Sequence, residues 1–248
     1  NGENSGHERS RTGEGERGLA PFARTTVASG LRAVVLLVLG TVSARAAAPD
    51  WRALPPEDFE RRAEVKTVVD HGSFDADLMA VAIFHETNRV RRRLGLEAFT
   101  HLAKLDEAAD LKAVMGVMQE ELTHHNPLPE TATPAARVES VGLVYRVVAE
   151  NLARLSLLNV PPGVTQIGIR RRGGRDEPYL LDTGRTVEPH TYASFAARVV
   201  EDWMNSPGHR ANIVSPELKQ LGCAARPALS WKGRQEQVYA VQVFFTPR

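Results

Sequence analysis

The most informative segment of this chain reads Trp203-Met-Asn-Ser-Pro-Gly-His-Arg-Ala-Asn-Ile213. Its tryptophan completes the apolar stripe of a helix that is predicted to begin after Thr191, a good N-cap residue, and to bury Phe195. Ser206-Pro-Gly208 is predicted to end that helix, because proline and glycine are typical of helix boundaries. The segment therefore predicts a packed helix that is followed at once by a histidine, His209.

Two further helices are predicted from apolar residues at helical spacing. They cover about 77–94, ending at Gly95, and about 105–122, and a short helix over about 57–69 precedes them. The expected buried stripe of the 105–122 helix consists of Leu105, Ala108, Leu111, Met115, Met118 and Leu122. Thr123-His-His-Asn-Pro127 is expected to end it, since a residue before proline leaves the helical region.

Strands are predicted mainly near the C-terminus. Residues 237–245 alternate between apolar and other residues, and 219–225 is the expected neighbour, joined through a turn near Lys232-Gly233. Residues 165–169 and 178–181 bracket Arg171-Arg-Gly-Gly-Arg175, which predicts a β-hairpin with a basic tip. Helices and strands do not alternate regularly, so an α+β fold is favoured over a doubly wound one.

The first 48 residues differ in composition from the rest. Residues 1–23 are mostly polar and are expected to be disordered. Residues 24–48 contain a basic flank, the short apolar run 33–42 and a small-residue exit, which together are typical of a secretory signal peptide. The run is about half the ~20 residues that a transmembrane helix needs; a buried helix and an uncleaved anchor are the alternatives.

Cleavage is expected after Ala46 or Ala48, which would leave a mature chain without a transmembrane span. That chain would consist of a lead-in segment, 49–74, and one domain, 75–248. We therefore expect a secreted, periplasmic or otherwise extracellular protein.

Composition and missing motifs exclude several functions. The 31 Lys and Arg residues nearly balance the 30 Asp and Glu residues, which gives no electrostatic reason to expect nucleic acid as a partner. Cys223 is the single cysteine, so neither an internal disulfide framework nor a finger-type zinc site can form, and we expect a buried, inert thiol. His85-Glu86 fails as a zinc-protease motif because Arg89 occupies its fifth position; His85 is expected on the packed helix face.

Three residues spread along the chain can provide chemistry together. His124 follows a helix, Glu150 lies in an otherwise apolar stretch, and His209 follows a helix stop. Two imidazoles and a carboxylate can bind a divalent cation such as Zn²⁺ and leave a position for water, or can act as acid and base. Alternatively, each histidine satisfies loop backbone groups and Glu150 pairs with an arginine, which the spacing alone favours.

The order of these motifs resembles the CAP superfamily of SCP-like domains, which includes cysteine-rich secretory, antigen 5 and pathogenesis-related 1 proteins. The resemblance covers about 75–245 and is closest to the bacterial secreted branch. The motifs that carry it are His85-Glu-Thr-Asn88, His124-x-Asn-Pro127, Glu150-Asn-Leu-Ala153, Trp203-Met-x-Ser-x-x-His-Arg-x-Asn-Ile213, Leu221-Gly222 and Val241-Gln-Val-Phe244.

The resemblance implies a three-layer α-β-α sandwich, here with an inserted β-hairpin, and a central cavity lined by two histidines and often two glutamates. The matching positions are His124, Glu150 and His209, with His125 as a fallback for His124. The second glutamate position is Ser206, a poor zinc ligand. What remains is a labile His₂Glu set, for which Zn²⁺ is the expected cofactor.

Two functional classes follow from the resemblance. The first is a binding module whose His/Glu cavity takes an envelope, lipid or protein ligand. The second is a zinc-dependent hydrolase with His124, Glu150 and His209 as metal ligands and Ser206 assisting. No nucleophile–base pair with family support is visible, so binding is favoured.

The stretch 154–189 is longer than the usual connection in related domains and contains the arginine-tipped hairpin. Long structured loops in compact domains are often functional. The hairpin is therefore either a contact for an anionic wall polymer or lipid headgroup, or a solvated decoration.

Overall fold

The computed structural model describes residues 50–164, 166–229 and 236–248. Its helices are α1 (Pro56–Arg61), α2 (Ala76–Arg93), α3 (Ala103–Gln119), α4 (Pro134–Ser140), α5 (Tyr192–Asn205) and α6 (Pro207–Val214). Its strands are β1 (Thr100–His101), β2 (Tyr145–Ser156), β3 (Ile167–Arg172), β4 (Arg175–Leu180), β5 (Gln220–Leu229) and β6 (Glu236–Pro247). The predicted disordered segment 1–23, the predicted signal peptide 24–48 and the turn near Lys232-Gly233 lie outside the described residues.

Four strands form the central sheet, in the order β1-β5-β6-β2. Strand β6 pairs antiparallel with both β5 and β2, whereas the short β1 runs parallel to β5. Strands β3 and β4 form a separate two-stranded sheet, the predicted hairpin. Strand β2 therefore lies at one edge of the central sheet, a position that matters for the candidate site.

Alternate residues of β6 pack into two different cores, one on each face of the sheet. Ala240 and Phe244 join a core built largely by α2 and α5, while Val241 and Val243 join a core built by α3 and α4. This is the period of two expected for a strand that is covered on both faces. The structure is thus a helix–sheet–helix sandwich, and the predicted α+β fold is confirmed.

Local sequence signals determine where α2 and α5 begin, the two helices that build most of the core containing Ala240 and Phe244. The Asp75 side chain accepts a hydrogen bond from the Leu78 amide (2.9 Å) and caps α2. Thr191 caps α5 in a reciprocal capping box with Ser194. The lead-in segment contributes Phe59 of α1 to the same core as these helices.

The prediction for the buried face of α3 is wrong in part. Leu111, Met118 and Leu122 are exposed, and the buried face instead contains Lys112 and Gly116. The physical reason is that small residues let α3 lie very close to the sheet, so that Gly116 fits under the ring of Tyr239. Helix α1 is also shorter than predicted, and α4 was not predicted.

The structure confirms two expectations, that His85 lies on the packed face of its helix and that Cys223 is buried. His85 is buried on α2, and its Nε2 lies 2.7 Å from the backbone oxygen of Trp51. Cys223 is buried and free, and burial raises the pKa of its thiol well above the ordinary value. A neutral, inaccessible thiol is a poor nucleophile.

Gly222 lies directly against the first turn of α3. A Cβ atom at this position of β5 would collide with the backbone of Leu105 and Asp106. The backbone at Leu105 and Asp106 cannot move away without shifting the start of α3. The Asp106 side chain also ties this part of α3 to β5, because it accepts a hydrogen bond from the Cys223 amide (2.8 Å).

We therefore expect Gly222→Ala to lower the free energy of unfolding by about 1–3 kcal/mol, the usual cost of overpacking. Chemical denaturation measures the change. Gly208→Ala in α6 is the matched control, because a Cβ there meets nothing within 4 Å. Equal stability of the two variants would show that α3 does not lie on β5 as described.

Candidate functional site

Two buried cations hold the loop that carries His124. Lys112 of α3 donates to the His125 backbone oxygen (3.2 Å) and to Asn126 Oδ1 (3.0 Å). Arg137 of α4 donates to the His124 backbone oxygen (3.3 Å) and to that of Thr131 (2.9 Å). Desolvation, followed by the nearby charge of Arg137, lowers the pKa of Lys112. The loop is therefore fixed from two neighbouring helices.

Glu150 lies on β2 opposite Val243 of β6, which directs its side chain toward the layer of α3 and α4. There its Oε2 accepts a hydrogen bond from Arg137 (2.5 Å), and its Oε1 lies 2.8 Å from His124 Nδ1. The side chains of Arg137 and Glu150 are 0% and 1% exposed, respectively. A charge buried this deeply is tolerated only when it is paired.

The contact with Glu150 determines the tautomer of the neutral His124 ring. A carboxylate can only accept hydrogen bonds, so the neutral imidazole carries its proton on Nδ1 and its lone pair on Nε2. The His124 side chain is 49% exposed, in contrast to the buried glutamate that holds it. An imidazole of defined tautomer is thus available at the surface.

His209 reaches the same region from the opposite layer. It lies on α6, and its backbone oxygen accepts a hydrogen bond from Asn151, the residue after Glu150 (3.2 Å). Asn212 donates to Asn151 Oδ1 (2.9 Å) and so attaches α6 to the same strand. Desolvation lowers the pKa of His209, and the neighbouring charge of His124 lowers it further. Helix α6 is therefore attached to β2 beside Glu150. The three predicted residues are called the His/Glu cluster below: His124 contacts Glu150, and His209 lies on the adjoining helix without a described contact between its ring and those two side chains.

The other two candidates lie differently. Ser206 stands between α5 and α6, where its amide donates to the Trp203 backbone oxygen (3.2 Å). Among the described contacts, its hydroxyl makes no hydrogen bond with His209. His125 is exposed and presents only its backbone to Lys112. The motif-based choice of His124 over His125 agrees with the contact to Glu150.

Sequence reasoning missed both buried cations. An arginine partner for Glu150 was one of the open alternatives, but nothing in the spacing singled out Arg137. Lys112 was not singled out, because it lies beside the expected apolar stripe, between Leu111 and Met115. The signal that was available is local: each cation lies within about 15 residues of the loop that it holds.

The contacts do not fit a zinc ion with Glu150 as a direct ligand, because both of its oxygens are engaged by Arg137 and His124. Within the described ranges, no group of three or more His, Cys, Asp or Glu side chains is arranged to hold a metal. A carboxylate that accepts the Nδ1 proton of a histidine is, however, a common support for a metal ligand. The Zn²⁺ prediction stays a prediction, with Glu150 in this changed role.

Three solved structures are similar to this chain, each at low sequence identity. An extracellular SCP-domain protein from Bacillus anthracis is 16% identical, with a TM-score of 0.44, and the match covers 68% of this chain and 41% of that one. An outer surface protein from Borrelia burgdorferi is 16% identical (TM-score 0.44; 69% and 94%). A cysteine-rich secretory protein from Staphylococcus aureus is 13% identical (TM-score 0.40; 69% and 39%). The chain thus spans less than half the length of two of these proteins.

Comparison of sequences gives a more definite result. No curated protein matches the chain significantly. The profile of the CAP family, described as the Cysteine-rich secretory protein family, matches residues 84–244. That range runs from the middle of α2 nearly to the end of β6 and includes the whole His/Glu cluster. The chain therefore belongs to the CAP family, although it contains a single cysteine.

Proposed function

We propose that this CAP domain is an extracellular binding module and that the imidazoles of His124 and His209 form its polar contact with a ligand. The observation that carries this proposal is the chain of contacts from Arg137 through Glu150 to His124. It fixes one ring nitrogen of His124 from inside the protein while the side chain remains half exposed. Such preorganisation favours binding, because fewer motions are lost when a ligand arrives.

The charge state of His209 also supports a role in ligand binding. Burial keeps the pKa of His209 below its ordinary value, so this imidazole is neutral at neutral pH. A neutral imidazole with a free ring nitrogen can accept a hydrogen bond from a ligand hydroxyl, amide or ammonium group. No nucleophile–base pair lies at the cluster among the described residues, and we therefore propose binding rather than hydrolysis.

The extracellular location rests on sequence alone. Residues 24–48 have the three parts of a signal peptide, although they lie outside the described structure. None of the described helices is long and apolar enough to span a membrane. The ligands that fit this location are envelope polymers, lipids and other extracellular proteins.

A Zn²⁺ ion is a further proposal for the same cluster. The lone pair of His124 Nε2 and the ring of His209 would hold the ion, and Glu150 would orient His124. When bound, zinc would supply a Lewis acid with positions open to water or ligand. The chain's own residues would position the ligands: Arg137 donates to Glu150, and Glu150 accepts the hydrogen bond from Nδ1 of His124.

Binding to purified bacterial cell walls tests the proposed module directly. Co-sedimentation should be reduced at least about tenfold by His124→Ala and by His209→Ala, since each removes a polar contact worth about 1.5 kcal/mol or more. His125→Ala is the matched control, because it removes the adjacent, exposed imidazole. Equal loss in all three variants, or loss in none, would contradict a specific role for the cluster.

Calorimetric titration with ZnCl₂ tests the metal. The wild-type protein should bind one Zn²⁺ ion. This binding should be lost in His124→Ala and in His209→Ala, and its affinity should fall about 10–100-fold in Glu150→Gln, the usual effect of removing a residue that supports a metal ligand. Circular dichroism checks that the variants fold. An unaltered site in both histidine variants would place the zinc elsewhere, whereas absence of binding would make the zinc prediction wrong and leave the binding proposal standing.

The support of His124 can be tested by stability. Arg137→Met should lower the free energy of unfolding by about 3–5 kcal/mol, because it leaves the carboxylate of Glu150 buried and without a cation. The double variant with Glu150→Gln should cost clearly less than the sum of the two single changes. The exposed pair Arg61 and Asp58 is the control and should show a coupling of about 0–1 kcal/mol. Simple additivity at Arg137 and Glu150 would contradict the ion pair.

A further inference from the structure

We infer that the tip of the β3–β4 hairpin is a binding surface for a phosphate-bearing anionic polymer, with Arg172 and Arg175 as its contact residues. This surface belongs to the stretch 154–189 and does not depend on the function proposed for the His/Glu cluster.

The turn fixes the two arginines opposite each other. Gly173 and Gly174 have φ angles of 60° and 81°, a conformation that glycine adopts without strain and that suits a two-residue hairpin turn. The strand register then pairs Arg172 with Arg175 on one face of the hairpin. Residues paired in this way have Cβ atoms about 5 Å apart, so two positive charges lie side by side.

The described residues supply one carboxylate within 4.0 Å of Arg172 and none within that distance of Arg175. Glu177 is the nearest carboxylate on that face, and it lies 4.0 Å from Arg172. It is already bound by Arg170 (2.8 Å) and by the hydroxyl of Thr186. The hydrogen bond from Arg170, followed by that from Thr186, lowers the pKa of Glu177 to about 2. Like charges directly opposite each other destabilise a hairpin, and an added anion would remove that cost.

The base of the hairpin is braced on the same face. The ring of Tyr179 lies across Gly168, where any Cβ atom would collide with it. The Arg170 guanidinium lies 5.0 Å from the centre of that ring and donates to the Gly184 backbone oxygen (3.0 Å). Arg170 is therefore structural, whereas the two tip arginines extend beyond this braced base and are exposed.

The other face argues against a membrane as the partner. There Arg171 lies opposite Asp176, which balances its charge, and Ile169 lies opposite Pro178. Ile169 is 60% exposed but is further from the turn than the arginines. A hairpin that approached a bilayer by its tip would present arginines and glycines without an apolar residue to insert. A polymer that contacts only the tip needs no apolar residue there, and it therefore fits this surface better than a bilayer does.

Arginine chemistry indicates phosphate as the charged group. A guanidinium is planar and donates two parallel hydrogen bonds to a phosphate, and two adjacent guanidiniums can bind successive groups of one chain. The whole protein carries a net charge of only +1, so binding would depend on this local pair rather than on overall attraction.

Fluorescence anisotropy with labelled inorganic polyphosphate tests the inference on the full purified chain. Affinity should fall as salt rises, and Arg172→Gln with Arg175→Gln should weaken binding about tenfold or more. Arg93→Gln with Arg146→Gln removes the same two charges elsewhere and should change affinity less than about twofold. The Arg172→Lys and Arg175→Lys double variant should be intermediate, because lysine keeps the charge and loses the paired hydrogen bonds.

Four results would overturn the inference. They are an unchanged affinity in the Arg172/Arg175 variant, an equal loss in the charge-matched control, a loss in His124→Ala, and binding to phosphatidylglycerol vesicles but not to polyphosphate. The last would replace the polymer by a lipid surface. Thermal unfolding should show that each variant is folded, and Arg172→Gln with Arg175→Gln should be at least as stable as the wild type, because it removes the repulsion between two exposed charges.

Discussion

The buried ion pair between Arg137 and Glu150 is the contact on which the candidate site depends. It joins α4 to β2 inside one of the two cores, and each side chain is almost completely removed from water. Burying either charge alone would cost several kcal/mol, so replacing only one of the two residues should strongly destabilise the fold. His124 is attached to this pair twice, through its ring to Glu150 and through its backbone to Arg137.

The position of β2 at the edge of the sheet explains how two layers contribute to one cluster. Consecutive strand residues face opposite ways, so Glu150 reaches the layer of α4 while Asn151 reaches that of α6. In the middle of the sheet these two layers are separated by the strands. At the edge, His124 from one layer is near enough to His209 from the other to lower the pKa of His209, after the larger effect of desolvation.

Much of this arrangement could be predicted from sequence because its signals are local. The cap at Thr191, the alternation along β6 and the turn of the Arg171–Arg175 hairpin all act within a few residues. Helix α4 could not be predicted, since seven residues with little apolar periodicity give no pattern, and Arg137 was missed with it. The buried face of α3 was mispredicted because its small residues lie against the sheet and Lys112 is held by a loop, neither of which a stripe of large apolar residues reveals.

The arginines of this nearly neutral chain divide into two groups by environment. Arg137 is buried, and its two terminal nitrogens donate to Glu150 and to backbone oxygens, whereas its Nε has no hydrogen-bond partner among the described residues. Arg172 and Arg175 are exposed at a turn whose geometry sets them side by side, with the nearest carboxylate engaged elsewhere. The first kind of arginine builds a site by holding other groups in place. The second has no hydrogen-bond acceptor among the described residues and is open to water or to a partner, which is why the hairpin tip rather than the cluster is the proposed site for an anion.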